Sequence, residues 1–407
     1  MGASYVESKE QSSRGAIFYN ATSISVKIYS TMFSNAVYVR KRSVYHGLLF
    51  LTVLSTVATL ASYYFTHISP QVFWPGAFLS LGLPMLLGFN LLLILLWLMV
   101  RPSLAVWPLG LLIAGAPFIS ATVSIRPAEL PPVTDSSRTF NVLSYNVSTF
   151  ISGRHYLKYI GKENALPMVE WVTNSKADIL CLQEFYNNDS SSIYNTVERL
   201  ISSGRPYYYM TPIKNYQDEG GFHSVAIFSR YPIVRGGDVI VGKQSDLNRG
   251  LFADIKVAND TVRVYSLHLE SMTINEASLF SANSSEKWLQ SVQTALGKIR
   301  RGTRVRGEQI DLLKEHIANS PYPAIVCGDF NDLPYSYTYF RLKKQMLSAF
   351  EEAGNGFGFT YNGKLFFLRL DNQFYDPVFQ IHHFETLRSV PYSEHFPIEG
   401  TYSLPAG

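Results

Sequence analysis

The sequence predicts a layered α/β domain carried behind three membrane-spanning helices, and three observations point there. From Thr139 onward, short β-rich apolar runs alternate with helical stretches. Ahead of them, three long apolar stretches lie between residues 44 and 124. Between residues 140 and 400, five short polar motifs stand at or just past the ends of apolar runs. They are Ser144-Tyr145-Asn146, Leu182-Gln183-Glu184, His268-Leu269-Glu270-Ser271, Gly328-Asp329-Phe330-Asn331-Asp332 and Ser393-Glu394-His395.

The chain has 407 residues, 47% hydrophobic and only 16% charged, which is apolar for a purely soluble protein. Its net charge of +4 is unevenly placed. Residues 1–129 hold 8 of the 35 Lys/Arg and 3 of the 31 Asp/Glu, giving +5 there and −1 over the remainder. The larger domain thus lacks the strong basic field usual in a nonspecific duplex-binding enzyme.

Residues 1–43 read as a flexible cytoplasmic tail; Val6 stands where a myristoylation signal needs Ser or Thr. The apolar stretches cover residues 44–65, 75–100 and 104–123. Each is long enough for a hydrocarbon core about 30 Å thick at 1.5 Å per residue. Pro84 and Asn90 in the second are tolerable where neighbours satisfy the freed polar groups. Arg40-Lys41-Arg42 precede the first span, the next connection has no Lys or Arg, and Arg101 lies in the turn after the second. Positive charge favours the cytoplasmic side, which places the C-terminal domain outside the cytoplasm. Residues 125–138, with Pro131-Pro132, form a short stiff linker, and the domain occupies residues 139–407.

Within that domain, residues 140–144, 179–183, 224–229, 251–257, 263–267 and 323–328 read as strands, and 166–175 and 308–318 as helices. Cys181 and Cys327 sit inside strand-like runs and read as free buried thiols; a bridge between them is the alternative in an oxidising compartment. Gly354-x-Gly356-x-Gly358 lacks a following helix start and reads as a turn. Tyr207-Tyr208-Tyr209 reads as core, with the cleft wall as alternative.

The motifs supply carboxylates, carboxamides and histidines, a set suited to holding a hard divalent cation and cleaving a phosphate ester with water. In their fixed order they resemble the endonuclease/exonuclease/phosphatase superfamily, the fold of deoxyribonuclease I, over residues 140–402. The three-span prefix, together with Gly328-Asp329-Phe330-Asn331-Asp332 and Phe359-Thr360-Tyr361, looks like its membrane-attached bacterial branch. The resemblance implies a four-layer sandwich of two facing mixed β-sheets flanked by helices. It also implies Mg²⁺, with Mn²⁺ as alternative, held by Glu184 with Asn146 and Glu394 in support. Asp329 would position or deprotonate the attacking water, and Asn331, Asn146 and His268 would contact the phosphate. His395 would serve as general base or as a stabilising imidazolium, paired with Asp371. Asp332 reads as an outward turn residue.

Two departures from the family pattern stand out. Glu394 replaces the usual Asp of the last motif, extending the reach by about 1.5 Å, and Asn372-Gln373 puts polar residues where an apolar strand is typical, weakening it. An insertion at 272–307 carries Lys298, Arg300, Arg301, Arg304 and Arg306, read as a solvated helix end or as a strip meeting anionic lipid or a polyanion. The expected activity is a membrane-anchored phosphoesterase acting outside the cytoplasm on a lipid headgroup or small phosphodiester. The alternatives are an extracytoplasmic nuclease acting on nucleic acid and a weakened binding module of the same fold. No protein partner is readable.

Overall fold

The computed structural model describes residues 42–125, 138–150, 162–213, 221–240, 247–272, 284–363 and 365–404. The expected tail, apart from its last residues, and most of the linker lie outside these. The chain forms two compact units. One joins residues through Thr59 with Met85–Ile113, and the other joins Leu60–Pro84 with everything from Ala114.

In the first unit, Asn90 is satisfied as an apolar helix requires. Its amide donates to Thr59 Oγ1 at 2.9 Å and Leu86 O at 2.8 Å, and its oxygen accepts from Ser55 Oγ at 3.2 Å. Trp97 Nε1 likewise donates to Thr52 Oγ1 at 2.8 Å. Among the described residues two helices, Arg42–Phe65 and Leu83–Val100, are long and apolar enough to cross a membrane, not the three expected. The third stretch is broken into a single turn, Pro102–Ala105, and the helices Val106–Ala114 and Ala116–Ser120. Gly115 interrupts it, and Pro117, which has no N–H to extend the preceding helix, sits in the first turn of the last piece.

In the second unit, the strands run β1 (Val123–Ser124), β2 (Thr139–Asn146), β3 (Ile179–Asn188), β4 (Tyr207–Met210), β5 (Gly221–Ser229), β6 (Ile233–Ile240) and β7 (Gly250–Val257). They continue with β8 (Asp260–His268), β9 (Ala324–Asp329), β10 (Leu347–Ser348), β11 (Gly356–Phe357), β12 (Asp371–Tyr375), β13 (Gln380–Thr386) and β14 (Ile398–Ser403). Two six-stranded sheets result, ordered β13-β14-β2-β3-β5-β4 and β10-β12-β9-β8-β7-β6. Each is antiparallel except for one central parallel pair, β2 with β3 and β8 with β9. A small pairing of β1 with β11 ties the Gly354–Gly358 turn to the segment leaving the apolar helices.

The strand period of two divides the side chains cleanly. Phe140, Val142, Ile179, Cys181, Val225 and Ile227 face the other sheet, where Ala253, Ile255, Val264 and Ile325 meet them. The alternate residues Leu143, Tyr145, Leu180, Leu182 and Phe228 pack outward against Met168, Val169 and Val172 of the helix Lys162–Asn174. The expected sandwich of mixed sheets is thus present. Cys181 and Cys327 are free thiols buried in its centre. Tyr207 and Tyr208 are exposed on the edge strand β4, not core.

The polar segment after Asp371 does not weaken its strand. All five residues of β12 are buried and paired with β9. Gln373 crosses between the sheets, donating to Val142 O at 3.1 Å and Ile398 O at 3.2 Å while accepting from Tyr402 OH at 2.8 Å. Gly400 makes room for it, since a Cβ there would meet Gln373 Oε1 at 2.6 Å.

The insertion and the second expected helix join into one helix, Ser285–Ala318, of 34 residues. Its basic residues are mostly engaged. Arg301 pairs with Glu270 at 3.1 Å, Arg300 lies 5.3 Å from the Trp74 ring, and Arg304 Nε donates to Gln71 Oε1 at 3.4 Å. Arg306 is fully buried, paired with Asp332 at 3.2 Å and donating to Glu270 O at 2.9 Å. Asp332 is therefore an inward residue, held by Arg306 and by the Thr338 hydroxyl, because the helix brings a cation behind its loop.

Replacing Gln373 by Leu removes three inter-sheet hydrogen bonds and strands the Tyr402 hydroxyl. Denaturant titration of the purified Gln373→Leu protein should show a loss of about 2–4 kcal/mol.

Candidate active site

The carboxyl ends of the two parallel strand pairs open toward one place, and the antiparallel neighbours begin there. Asn146 ends β2, His268 ends β8 and Asp329 ends β9, while Asp371 starts β12 opposite Asp329 and His395 precedes β14. Any side chain at those positions is delivered to the same rim by a rigid scaffold.

Glu184 arrives differently. The sequence suggested a strand end at Gln183, but β3 continues to Asn188 past an irregularity between Leu182 and Phe185. Glu184 sits in that bulge with φ 51°, a left-handed conformation that ordinary residues avoid at about 1 kcal/mol or more. The bulge frees its carboxylate from both sheet faces. Its carboxylate Oε1 lies 3.6 Å from His268 Nε2 and accepts from Asn146 Nδ2 at 3.2 Å.

Asp329 depends on a glycine. Gly328 has φ 143°, and a Cβ there would stand 2.7 Å from Leu267 N and closer still to the Leu267 carbonyl. Only glycine lets β9 run this close to β8 just before the carboxylate. Asp329 Oδ1 then accepts from Asn331 N at 2.8 Å, with Asn331 itself left-handed at φ 48°. Asn331 Nδ2 donates to Leu269 O at 3.0 Å.

Asn146 binds the two sheets' carboxylates together. Its Oδ1 accepts from Ser148 N at 2.9 Å, which fixes the amide orientation and turns Nδ2 toward Glu184 and toward Asp329 Oδ2, the latter at 3.0 Å. Asn146 therefore holds the Glu184 and Asp329 carboxylates in place, with its own oxygen turned away from them. Ser393 Oγ donates to Asn146 O at 2.7 Å and accepts from His395 N at 3.2 Å, linking the first and last motifs.

The histidines flank Asp329. His268 Nδ1 bonds Leu247 O at 3.0 Å, which leaves Nε2 facing Glu184 and, at 3.6 Å, Asp329. His395 Nδ1 bonds Asp371 Oδ2 at 2.9 Å, and its Nε2 lies 3.6 Å from Asp329 Oδ2. Burial pushes the His395 imidazolium toward losing its proton, but the charges of Asp371 and Asp329 reverse this and raise it to about 10. Burial also holds Asp371 above the ordinary carboxylate range despite the opposing charge of His395. The pair keeps hold of a proton at neutral pH.

Glu394 stands apart from the other expected residues. Its backbone carbonyl accepts from Asn362 N at 2.6 Å, and among the described residues none of the contacts joining the cluster runs through its carboxylate. Three supports have no role assigned from the sequence, although Thr360 lies in the Phe359-Thr360-Tyr361 motif that carries part of the resemblance. Thr360 Oγ1 accepts from Asp371 N at 3.0 Å, the Leu247 carbonyl orients His268, and Arg306 backs the Gly328–Asp332 loop through Asp332.

A hard cation fits this donor set. Glu184, Asp329 and Asp371 crowd three carboxylates into one buried rim, and two imidazoles cannot neutralise three negative charges. Ligand atoms of Asp329, Asp371 and His395 lie within 4.8 Å of one another, although Asp371 and His395 are already spent on each other at Nδ1.

Residues 139–395 match the endonuclease/exonuclease/phosphatase family. The chain belongs to that family. Its members are hydrolases that act on phosphodiesters and phosphate monoesters. Residues 45–122 match a domain of unknown function (DUF8431). No curated protein matches the chain. Among solved structures, it is similar to an endonuclease/exonuclease/phosphatase from Beutenbergia cavernae DSM 12333, at 16% identity over 66% of this chain and 72% of that one, with a TM-score of 0.47. It is also similar to the catalytic domain of human Nocturnin with bound sulfate, at 16% identity, covering 66% and 95%, with a TM-score of 0.44. A Bacteroides thetaiotaomicron family protein matches at 16% identity, covering 66% and 98%, with a TM-score of 0.45.

A raised histidine contributes stability that is present below its unfolded value and lost as pH rises through its folded value. For His395 that window runs from 6.5 to about 10. In chelator, denaturant stability of the wild type should fall across it more steeply than that of His395→Gln. Parallel profiles would contradict the assignment.

Proposed function

We propose that this chain is a membrane-anchored, divalent-metal-dependent phosphoesterase that acts outside the cytoplasm on a lipid headgroup or small phosphodiester. The observation that carries the reading is the convergence of Glu184, Asp329, His268 and His395, drawn from both sheets, within 3.6 Å steps of one another. The two long apolar helices support the membrane part, and the orientation part requires the broken third stretch, residues 102–120, to cross once more between Arg101 and the domain. The near-neutral domain supports a small or lipid substrate over a nucleic acid.

Glu184 and Asp329 would hold Mg²⁺, with Mn²⁺ as substitute, and Asn146 would fix both carboxylates. Bound there, the ion supplies positive charge against a phosphoryl oxygen. Asp329 orients the attacking water and takes up its proton. His395, kept protonated by Asp371, presents Nε2–H to the charge developing on phosphorus oxygens. His268 Nε2 faces the same space and assists at the phosphate or leaving group, and Asn331 borders it. Glu394 is left out of this ligand set.

The test is a panel of phosphodiesters and phosphomonoesters with the purified full chain. Metal-dependent turnover should appear, and Glu184→Gln or His395→Ala should lower it about 10²-fold or more. Turnover that survives chelation, or that neither variant changes, would sink the reading. A nuclease would instead show nucleic-acid cleavage that weakens steeply with salt.

A further inference from the structure

A cavity of 570 Å³ opens beside the end of the helix Arg42–Phe65, against the helix Tyr337–Lys343. Tyr63 stacks on Phe118 at 4.7 Å, Phe118 tilts onto Phe340 at 4.8 Å, and His67 meets the edge of Phe340 at 5.4 Å. The helix face leading into it is open as well, with Leu60 52% and Tyr64 62% exposed. Such aromatic rings at the end of an apolar helix are suited to the headgroup level of a bilayer.

The rim is cationic. Lys343 and Lys344 line it. Lys343 is paired with Glu351, whose carboxylate also accepts from Ser120 Oγ at 2.8 Å and Tyr339 OH at 2.6 Å. Lys344 is exposed, and among the described residues no carboxylate pairs with it. Burial and the nearby Lys344 charge hold His67 below the ordinary histidine value, so His67 adds no charge of its own near neutral pH. Glu351, the carboxylate tied to the rim, is fully used, so an ammonium headgroup finds no free acidic partner there.

We propose that this cavity binds an anionic phospholipid, with the phosphate at Lys344 and the glycerol and upper acyl chains along Tyr63, Phe118 and Phe340. The proposal rests on the membrane attachment inferred above but not on catalysis. The bound lipid is a fixed one, separate from the substrate, and it pins the end of the first apolar helix to the helix Tyr337–Lys343.

The probe is phosphatidylglycerol, offered to the full-length protein in detergent and followed by native mass spectrometry, with phosphatidylcholine as the comparison. The wild type should retain phosphatidylglycerol preferentially. Lys344→Glu should weaken retention about fivefold or more, the expectation for losing one lysine at an anionic surface. Lys344→Arg should bind as the wild type does. His395→Ala should also bind normally, which separates this site from the catalytic reading. Lys344 is exposed, so an unchanged melting temperature will confirm that Lys344→Glu folds. Equal retention of the two lipids, equal retention by wild type and Lys344→Glu, or displacement of phosphatidylglycerol by inorganic phosphate would each overturn the proposal.

Discussion

Three carboxylates share one buried rim, and most of the surrounding structure answers that repulsion. Glu184 and Asp329 are bridged by the Asn146 amide, Asp371 is bound to His395, and His268 faces the first two at 3.6 Å. Groups of like charge held this close in a low-dielectric setting resist joint ionisation unless positive charge is near. Protonated His395 supplies part of it, and a divalent cation between Glu184 and Asp329 would supply the rest. The same logic extends behind the site. Buried Asp332 is neutralised by buried Arg306, which reaches across from the long helix.

The backbone is bent to make this crowding. Glu184 at φ 51° and Asn331 at φ 48° occupy left-handed conformations, and Gly328 lets two parallel strands approach where no side chain fits. Strain of this kind persists only where the neighbouring structure over-determines it. Here the two sheets do so. Each contributes one parallel pair, and Gln373 stitches the sheets together with three hydrogen bonds just beyond Asp371. The rim is thus as rigid as the core beneath it, which a site of converging charges needs.

Much of this was legible in the sequence, for a physical reason. Strand periodicity is a local property, so the runs ending at Asn146, His268 and Asp329 could be read directly, and the ordered motifs identified the sandwich. What escaped depends on distant partners. Gln373 looks like a strand breaker until Val142, Ile398 and Tyr402 satisfy it. Arg306 looks like one more surface cation until the helix is seen to turn it inward, and Asp332 looks outward for the same reason. The Glu184 bulge left no mark beyond the end of an apolar run. The third apolar stretch had the composition of a span, but Gly115 and Pro117 break it into short helices. The four-residue β4 and the polar β13 carry too little apolar pattern to be picked out alone.

The most direct test of the central claim is a calorimetric titration of Mn²⁺ into the metal-free full-length protein and into Glu184→Gln. Saturable binding at one site is expected in the wild type and its loss in the variant, with His268, Asp329 and Asp371 unchanged. Binding that is indifferent to Glu184, or a wild-type protein that takes up no divalent ion, would contradict it.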